Sequence, residues 1–248
     1  MSSPIYIGDL VDGKKHGHGK HITKKYIYEG NFENDKMHGK GTYTNLETYD
    51  VYEGEFFHNE FQGHGVMKYN SHAAYQEYSG SWSKGKFNGF GKLLFTNTDL
   101  YEGWFKLDKK CGKGIFKFHY GASFEGIYYD NDRHGYCKII ECNGDIFEGT
   151  YYMGKKEGEC SITYKNGDIF TGVWKNGYKQ GIGTFCKKEN GKKYLQNFDR
   201  GVLYDMKLIN GDDYPVVQSC LLPQQTNNVN DTKKVKKKNN DSNLSMYV

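Results

Sequence analysis

The sequence has no long apolar run. No stretch approaches the roughly 20 apolar residues that a helix needs to cross a bilayer. The first residues, MSSPIYIGDL, also lack the basic segment followed by an apolar segment that marks a secretory signal. These absences predict a cytoplasmic chain, in which the six cysteines stay reduced.

Proline and leucine are scarce, whereas glycine and aromatic residues are abundant. The 248 residues include only 3 prolines but 32 glycines, 22 tyrosines and 15 phenylalanines. Ordinary cores are built mainly from leucine, isoleucine and valine. The composition therefore predicts many short strands punctuated by glycines, with aromatic rings taking the place of an aliphatic core.

A strong excess of one charge is also missing. The net charge is only +4, and much of it comes from the lysines at positions 233–238, so that residues 1–222 are close to neutral. A domain that binds nucleic acid would be strongly basic. We therefore expect no nucleic-acid partner.

What the sequence does have is an internal repeat built on aromatic-x-Gly-x-aromatic, of which YEGNF at 28–32 is one copy. We number the leading aromatic of each copy as place 0 and count onward from it. Clear copies begin at Tyr28, Tyr52, Tyr78, Tyr101, Phe124, Phe147 and Phe170, with a weaker one at Tyr6 and a degenerate ninth at Tyr194. Self-similarity at a fixed period of 20–50 residues is the signature of a repeat architecture.

A second element keeps step with the first. Place 11 is glycine in all eight full copies: Gly17, Gly39, Gly63, Gly89, Gly112, Gly135, Gly158 and Gly181. Place 13 is glycine in six copies and cysteine in two, Cys137 and Cys160. The two elements share one register over the whole array.

The consensus YEGxWxxxKxxGxGxYxxxxGxx resembles the MORN repeat family, and the resemblance covers residues 6–205. It implies an all-β fold, an elongated single-layer antiparallel β-meander of MORN hairpins. We expect a repeat array at 6–205 and a C-terminal cap at 206–222. The Lys/Asn-rich tail at 223–248 has too few apolar residues to fold, so its composition predicts disorder.

The spacing also predicts how strands pair. Side chains alternate faces along a strand, so places 0, 2 and 4 share one face. In a simple hairpin register, place 0 lies opposite place 15 and place 4 opposite place 11. Each ring would then cover a glycine on the neighbouring strand. At about 10 Å per two-stranded repeat, eight repeats would form a ribbon of roughly 80 Å.

Three specific functional interpretations of these motifs are less well supported than the structural one. Gly39-Lys40-Gly41-Thr42 resembles part of a phosphate-binding loop, but it lacks the strand–GxxxxGK[ST]–helix context. The place-10 histidines His16, His38 and His134 lie in different repeats and should be solvated turn residues, since zinc needs several converging ligands. The place-1 glutamates recur in five copies, as Glu29, Glu53, Glu102, Glu125 and Glu148, which favours a solvated sheet face over an acid–base pair. We therefore predict no catalytic, cofactor-binding or metal-binding residues and no enzyme activity.

The family resemblance implies a non-catalytic scaffold that docks partner proteins. Similar proteins belong to the cytoskeleton, the cilium or axoneme, or a membrane-linked cytoskeleton, and some dimerise through terminal repeats. A homodimer that forms through the terminal repeats is therefore one expected assembly. The degenerate ninth copy is either a cap or a pairing edge. The candidate partner face carries the place-4 rings Phe32, Phe56, Trp82, Phe105, Tyr128, Tyr151 and Trp174.

Two alternatives stay open. One is a peripheral membrane protein that binds anionic phospholipids through an edge of basic residues at the hairpin tips. Because acidic residues are interleaved with the basic ones, this edge could equally serve only for solubility. The candidate edge residues are Lys14, Lys15, Lys36, Lys86, Lys109, Lys110, Arg133, Lys155, Lys156 and Lys179. The other alternative is an accessory subunit of an enzyme that resides in another chain.

Overall fold

A computed structural model describes residues 3–72 and 74–209 of the protein. The predicted disordered tail at 223–248, and the predicted cap beyond residue 209, lie outside the described residues. Residues Met1–Asp212 form one compact unit that contains every described strand. The second unit, Asp213–Val248, is not part of the described structure.

The described chain is all-β, with eighteen antiparallel strands in one open sheet and no helix among the described residues. The strands are β1 (Ile5–Val11), β2 (Lys14–Ile22), β3 (Tyr26–Glu33), β4 (Lys36–Asn45), β5 (Val51–Phe57), β6 (Glu60–Lys68), β7 (Tyr75–Ser83), β8 (Lys86–Phe95), β9 (Leu100–Lys106), β10 (Lys109–Lys117), β11 (Ser123–Tyr129), β12 (Asp132–Ile140), β13 (Ile146–Tyr152), β14 (Lys155–Thr163), β15 (Ile169–Lys175), β16 (Tyr178–Cys186), β17 (Lys193–Asp199) and β18 (Val202–Ile209). Each strand pairs with its neighbours in sequence, from β1–β2 through β17–β18. The predicted all-β single-layer meander is confirmed, with β1 and β18 as its two edges.

Each repeat forms one hairpin whose turn occupies places 6 and 7. In the second repeat these are Asn34 and Asp35, with φ of 48° and 67°. Two consecutive residues with positive φ form a type I′ turn, whose twist matches that of the flanking strands and which favours Asn, Asp and Gly. The same two-residue turn closes the other hairpins, and its tips define one long edge of the sheet.

The predicted register is confirmed at place 0 and wrong at place 4. Tyr28 pairs with Tyr43, as place 0 with place 15. Phe32 at place 4 pairs with Met37 at place 9 rather than with Gly39 at place 11, because β4 bulges between these points and Gly39 takes a φ of +64°. Gly39 instead pairs with Phe56, the place-4 residue of the following repeat. The predicted ring–glycine pairing therefore joins neighbouring repeats instead of closing one hairpin.

Rings do cover glycines within a hairpin, but the covering ring stands at place 0. A Cβ built on Gly41 would lie 2.6 Å from the Cε2 and Cζ atoms of Tyr28, and Gly30 is crowded by the same ring. The Tyr28 hydroxyl donates a hydrogen bond of 2.8 Å to the carbonyl oxygen of Asn31. The ring is completely buried, although the sheet has only one layer. Glycines on two strands thus supply the space in which each ring lies flat.

Neighbouring repeats are joined by edge-to-face ring contacts. Tyr28 packs at 5.0 Å against Phe32 of its own repeat and against Phe56 of the next, with interplanar angles of 88° and 78°. Such pairs add about 0.5–1.5 kcal/mol each beyond the area they bury. The core is therefore a row of rings along one face of the sheet, with each repeat packed only against its neighbours.

Candidate protein-interaction surfaces

The two faces of the sheet differ in what they expose. Places 0, 2, 4, 9, 13 and 15 lie on one side, which we call the ring face because it carries the buried aromatic row. Places 1, 3, 5, 8, 10, 12 and 14 lie on the other side, which we call the outer face. The predicted partner-binding rings and the predicted lysine edge can be placed on these two faces.

The candidate partner face of the sequence analysis is part of the core. All seven place-4 rings, from Phe32 to Trp174, are only 3–7% exposed. Trp82 also donates a hydrogen bond of 3.1 Å from Nε1 to the carbonyl oxygen of Gly65 in the preceding repeat. These rings hold adjacent repeats together, so a partner on the ring face would touch mainly the side chains that lie over them.

Those covering side chains stand at place 9 and change character along the array. In the second to fourth repeats they are apolar: Met37, Phe61 and Phe87. Phe87 stacks on Tyr78 at 3.7 Å. In the first and the fifth to eighth repeats they are cationic: Lys15, Lys110, Arg133, Lys156 and Lys179. Lys179 places its Nζ 3.9 Å from the centre of the Phe170 ring, a cation–π contact.

The predicted lysine edge therefore divides into two sets. Lys15, Lys110, Arg133, Lys156 and Lys179 stand at place 9 and turn inward over rings. Lys14, Lys36, Lys86, Lys109 and Lys155 stand at place 8 and are exposed on the outer face. Burial lowers the pKa of Lys110, Lys156 and Lys179, because desolvation disfavours the ammonium form. The place-8 set carries its charge at the exposed hairpin tips, where Lys109 bonds Asp130 at 2.6 Å and Lys86 lies 3.8 Å from Asp108.

The outer face exposes apolar side chains that the sequence reasoning missed. Phe90 and Trp104 pair across β8 and β9 with ring centres 6.0 Å apart, and they are 48% and 50% exposed. Further exposed residues at places 3 and 12 follow toward the C-terminus, and together we call them the outer apolar stripe: Phe90, Trp104, Ile127, Tyr136, Val173 and Ile182. An alignment of places 3 and 12 could have revealed the stripe, because place 12 of one repeat pairs with place 3 of the next. Both places are polar up to Ser81, and from Phe90 onward each such pair includes an apolar residue.

Both edge strands also carry exposed apolar residues. On β1 these are Ile5, Ile7, Leu10 and Val11, and on β18 they are Val202, Leu203, Tyr204, Met206 and Leu208. An edge strand leaves unpaired backbone groups that can pair with another strand. The ninth repeat thus completes the sheet through β17 and β18 and ends in an apolar edge.

The place-1 glutamates do not form acid–base pairs with one another. Glu29 bonds Lys20 at 2.8 Å, and Glu148 lies 3.7 Å from Lys138, so each faces a lysine at place 14. The hydrogen bond and the charge of Lys20 hold the pKa of Glu29 below its usual value. A carboxylate kept ionised beside a cation on an open surface is suited to solubility rather than to proton transfer.

The two place-13 cysteines are buried where other repeats have glycine. Burial raises the pKa of Cys137 to about 12 and that of Cys160 to about 11. Only a thiolate is a strong nucleophile, so both thiols are inert at neutral pH. Gly39, in the lysine–glycine segment that resembles a phosphate loop, forms the bulge of a strand with no helix after it.

Family comparison agrees with this geometry. The MORN repeat profile matches residues 6–24, 28–45, 52–73, 78–99, 101–119, 124–146, 147–169 and 170–191, together more than half of the chain. The chain belongs to the MORN repeat family. The predicted resemblance, with about eight repeats, is confirmed.

Among curated proteins, this MORN repeat chain is 30% identical over 115 residues to Alsin of Rattus norvegicus and to Alsin of Homo sapiens. The match spans 46% of the chain but only 6% of Alsin. Among solved structures, the TCP10 domain of Danio rerio CPAP in complex with a STIL peptide aligns with 83% of the chain and 99% of that domain, at 11% identity and a TM-score of 0.31. A TM-score this low does not establish a shared fold.

No described residue of this MORN repeat protein lies in a helix of the length and apolarity that would cross a membrane.

Proposed function

We propose that this MORN repeat protein is a non-catalytic scaffold that docks partner proteins in a cytoplasmic assembly of the cytoskeleton, the cilium or axoneme, or a membrane-linked cytoskeleton. The outer apolar stripe carries the proposal. Trp104 and Phe90 pair on the outer face and are half exposed, whereas the place-4 rings of the ring face are only 3–7% exposed. Exposed apolar groups rimmed by polar residues mark protein-interaction sites, and tryptophan is the residue most enriched among those that dominate binding energy.

The open surface of the described sheet supports a non-catalytic role. The concavities on the described sheet include shallow grooves over paired glycines, one of them bordered by Gly65, Gly80 and Gly91. An active site needs converging polar groups in a pocket that excludes water. The buried thiols Cys137 and Cys160 are held protonated, and the place-1 carboxylates of Glu29 and Glu148 face lysines.

The apolar edges support a second copy of the chain as one partner. β1 and β18 each end the sheet with exposed aliphatic or aromatic side chains. Pairing of such edges between two copies would continue the sheet and cover these residues. The homodimer is tested by sedimentation velocity over a range of protein concentrations; a monomer at every concentration would remove it from the account.

Proximity labelling in cells tests the scaffold proposal. A biotin ligase fused to the chain should label cytoskeletal or ciliary proteins reproducibly above a soluble ligase control. Neighbours drawn only from metabolic enzymes or from the bulk cytosol would contradict the assembly proposed here.

A second candidate function is binding to anionic phospholipids, which the place-8 lysines favour. These five lysines project from the hairpin tips of the first, second, fourth, fifth and seventh repeats, and each basic residue near such a surface contributes about 1 kcal/mol. Sedimentation with phosphatidylserine or phosphoinositide vesicles should show binding that falls with salt. A triple variant with Lys36, Lys86 and Lys155 changed to Gln should lose it, whereas Lys179→Gln, which removes an inward cation, should not. Binding that is absent or independent of salt would eliminate this function.

A further inference from the structure

Three side chains with metal-ligand chemistry meet at the tips of the second and third hairpins. Glu33, His38 and His58 bring one carboxylate oxygen and two imidazole nitrogens within 4.8 Å of one another. We propose that they form a surface site for a divalent transition-metal ion, with Zn²⁺ as the ion to be tested. Sequence reasoning predicted His38 to be a solvated turn residue, because it considered only histidines at the same place of different repeats.

The distances suit ligands of a shared ion. Glu33 Oε2 lies 3.2 Å from His38 Nδ1 and 3.7 Å from His58 Nε2. Ligands that each stand about 2.0–2.2 Å from a tetrahedral Zn²⁺ are separated by about 3.3 Å. The two separations from Glu33 are therefore close to those of an occupied site. The two histidine side chains are exposed enough to move closer together and shorten the third.

The buried nitrogen of His38 makes no hydrogen bond. Its Nδ1 is inaccessible to solvent and has no hydrogen-bond partner, despite the nearby Glu33 oxygen. An unsatisfied buried polar atom costs free energy and calls for an explanation. Two ligands of one ion stand at this separation without hydrogen-bonding each other, since each directs a lone pair at the ion. A bound cation would satisfy the nitrogen and neutralise the carboxylate together.

The fold holds the three ligands in place. Glu33 ends β3, His38 stands near the start of β4, and His58 is the first turn residue after β5. The backbones beside the two histidines are locked by a pair of hydrogen bonds between Met37 and Asn59, of 2.9 Å and 2.8 Å.

One ring supports both imidazoles. Phe57 stacks on His58 at 4.2 Å and packs against His38 at 5.3 Å. The site therefore does not depend on freely rotating side chains, although it lies at the surface.

The ligand set selects the class of ion. Imidazole nitrogens favour Zn²⁺, Cu²⁺ and Ni²⁺ over Mg²⁺ and Ca²⁺, which prefer oxygen ligands alone. Three protein ligands leave one tetrahedral position for water or for a group from a partner. An ion here would also connect two repeats, since His58 comes from the third repeat and the other two ligands from the second.

A matched control exists in the sixth repeat. His134 also stands at place 10 and also has a buried Nδ1 without a hydrogen-bond partner. The equivalents of Glu33 and Phe57 there are Tyr129 and Tyr152, and both pack against its ring. That place offers one ligand in the same backbone setting and should bind no ion.

Calorimetric titration of the full chain with Zn²⁺ tests the proposal, after chelator treatment and in buffer free of thiols. The wild type should bind one ion, and His58→Ala and Glu33→Gln should each lower the affinity by more than the roughly 10–100-fold typical of losing an outer-shell partner. His134→Ala should bind as the wild type does. Absence of Zn²⁺ binding, or equal binding by His58→Ala and the wild type, would overturn the site.

Thermal unfolding gives an independent readout. An ion that binds only the folded chain stabilises it by RT ln(1 + [Zn²⁺]/Kd), so the unfolding temperature rises with the concentration of free ion. Zn²⁺ should raise the unfolding temperature of the wild type and of His134→Ala, but not that of His58→Ala. Circular dichroism of the metal-free proteins should first show that all the variants keep the β-sheet. A shift that persists in His58→Ala would place the ion elsewhere and contradict the proposal.

Discussion

The ring of Tyr28 lies directly over Gly41, so that a Cβ on this glycine would approach the ring atoms Cε2 and Cζ to 2.6 Å. Real Cβ atoms are not found at that distance from other heavy atoms. The relationship recurs between Tyr52 and Gly65 and between Tyr78 and Gly91, in the next two repeats. In these three repeats the tyrosine ring leaves no room for a Cβ at place 13, which explains why tyrosine and glycine recur together there; the two place-13 cysteines lie in repeats led by Phe124 and Phe147.

Gly41→Ala should destabilise the sheet by about 3 kcal/mol, at the upper end of what overpacking a buried site costs. The added methyl group meets the buried Tyr28 ring, whose hydroxyl also lies against Gly30 on the paired strand. Urea unfolding followed by circular dichroism would measure the loss.

Gly181→Ala is the matched control for this substitution. Nothing lies within 4 Å of its Cβ position, so only its φ of +70° opposes alanine, at a cost of about 1 kcal/mol. Equal losses for Gly41→Ala and Gly181→Ala would show that the ring does not set the glycine requirement.

Alkaline pH should unfold the tyrosine-led repeats. Burial raises the pKa of Tyr28 to about 12 and also raises the pKa of Tyr52, Tyr78 and Tyr101, against 10.0 for a free side chain. A raised folded-state pKa adds stability that is fully present below pH 10 and is lost as the pH rises through the folded-state value. Tyrosinate absorbance from these rings should therefore appear together with loss of β-sheet circular dichroism. Ionisation of all tyrosines near pH 10 with the sheet intact would contradict the burial.

Thiol reactivity should separate the cysteines by burial. Cys142 is exposed, whereas Cys137 and Cys160 are buried with pKa values raised to about 12 and 11. A maleimide at neutral pH should label Cys142 within minutes and leave the two buried thiols unmodified until urea is added. Peptide mapping by mass spectrometry would show which positions react, and rapid native labelling of Cys137 would contradict its place in the core.

Trp104→Asp should leave stability almost unchanged. The side chain is half exposed, and surface substitutions usually change the unfolding free energy by about 0.5 kcal/mol or less. Trp82→Ala, the buried counterpart, should cost about 3–5 kcal/mol because it empties part of the ring row. Urea unfolding of both variants is the measurement. A large loss of stability from Trp104→Asp would mean that this ring serves the fold rather than a partner.

Much of the fold could be predicted from spacing alone. The place-0 aromatics, the glycines and the alternation of strands predicted the meander and the pairing of Tyr28 with Tyr43. These features depend on local geometry that repeats without change, which is why sequence periodicity reveals them.

The bulge at place 11 could not be predicted from parity. A strand with strict alternation would pair Phe32 with Gly39, but the positive φ of this glycine shifts the register of the strand before it. Lys155 and Lys156 are both residues of strand β14, so Lys155 points outward while its neighbour Lys156 lies over a ring. The charged edge was therefore predicted as one set, whereas the structure divides it into two.

The contacts between repeats were the least predictable part of the surface. Phe90 and Trp104 are fourteen positions apart and come together only because place 12 of one repeat pairs with place 3 of the next. His58 reaches Glu33 for a similar reason, since the tip of one hairpin docks on the preceding one. Each depends on the true register between repeats, which a consensus of single repeats does not contain.

Proximity labelling with paired face variants tests the central claim most directly. The claim is that the outer apolar stripe, and not the ring face, holds the cellular partners of this MORN repeat protein. Trp104→Asp with Tyr136→Asp should abolish the enrichment of cytoskeletal or ciliary neighbours while the purified variant remains folded. Lys179→Gln, on the ring face, should keep the neighbours of the wild type. Unchanged neighbours for the stripe variant, or their loss only in Lys179→Gln, would contradict the account.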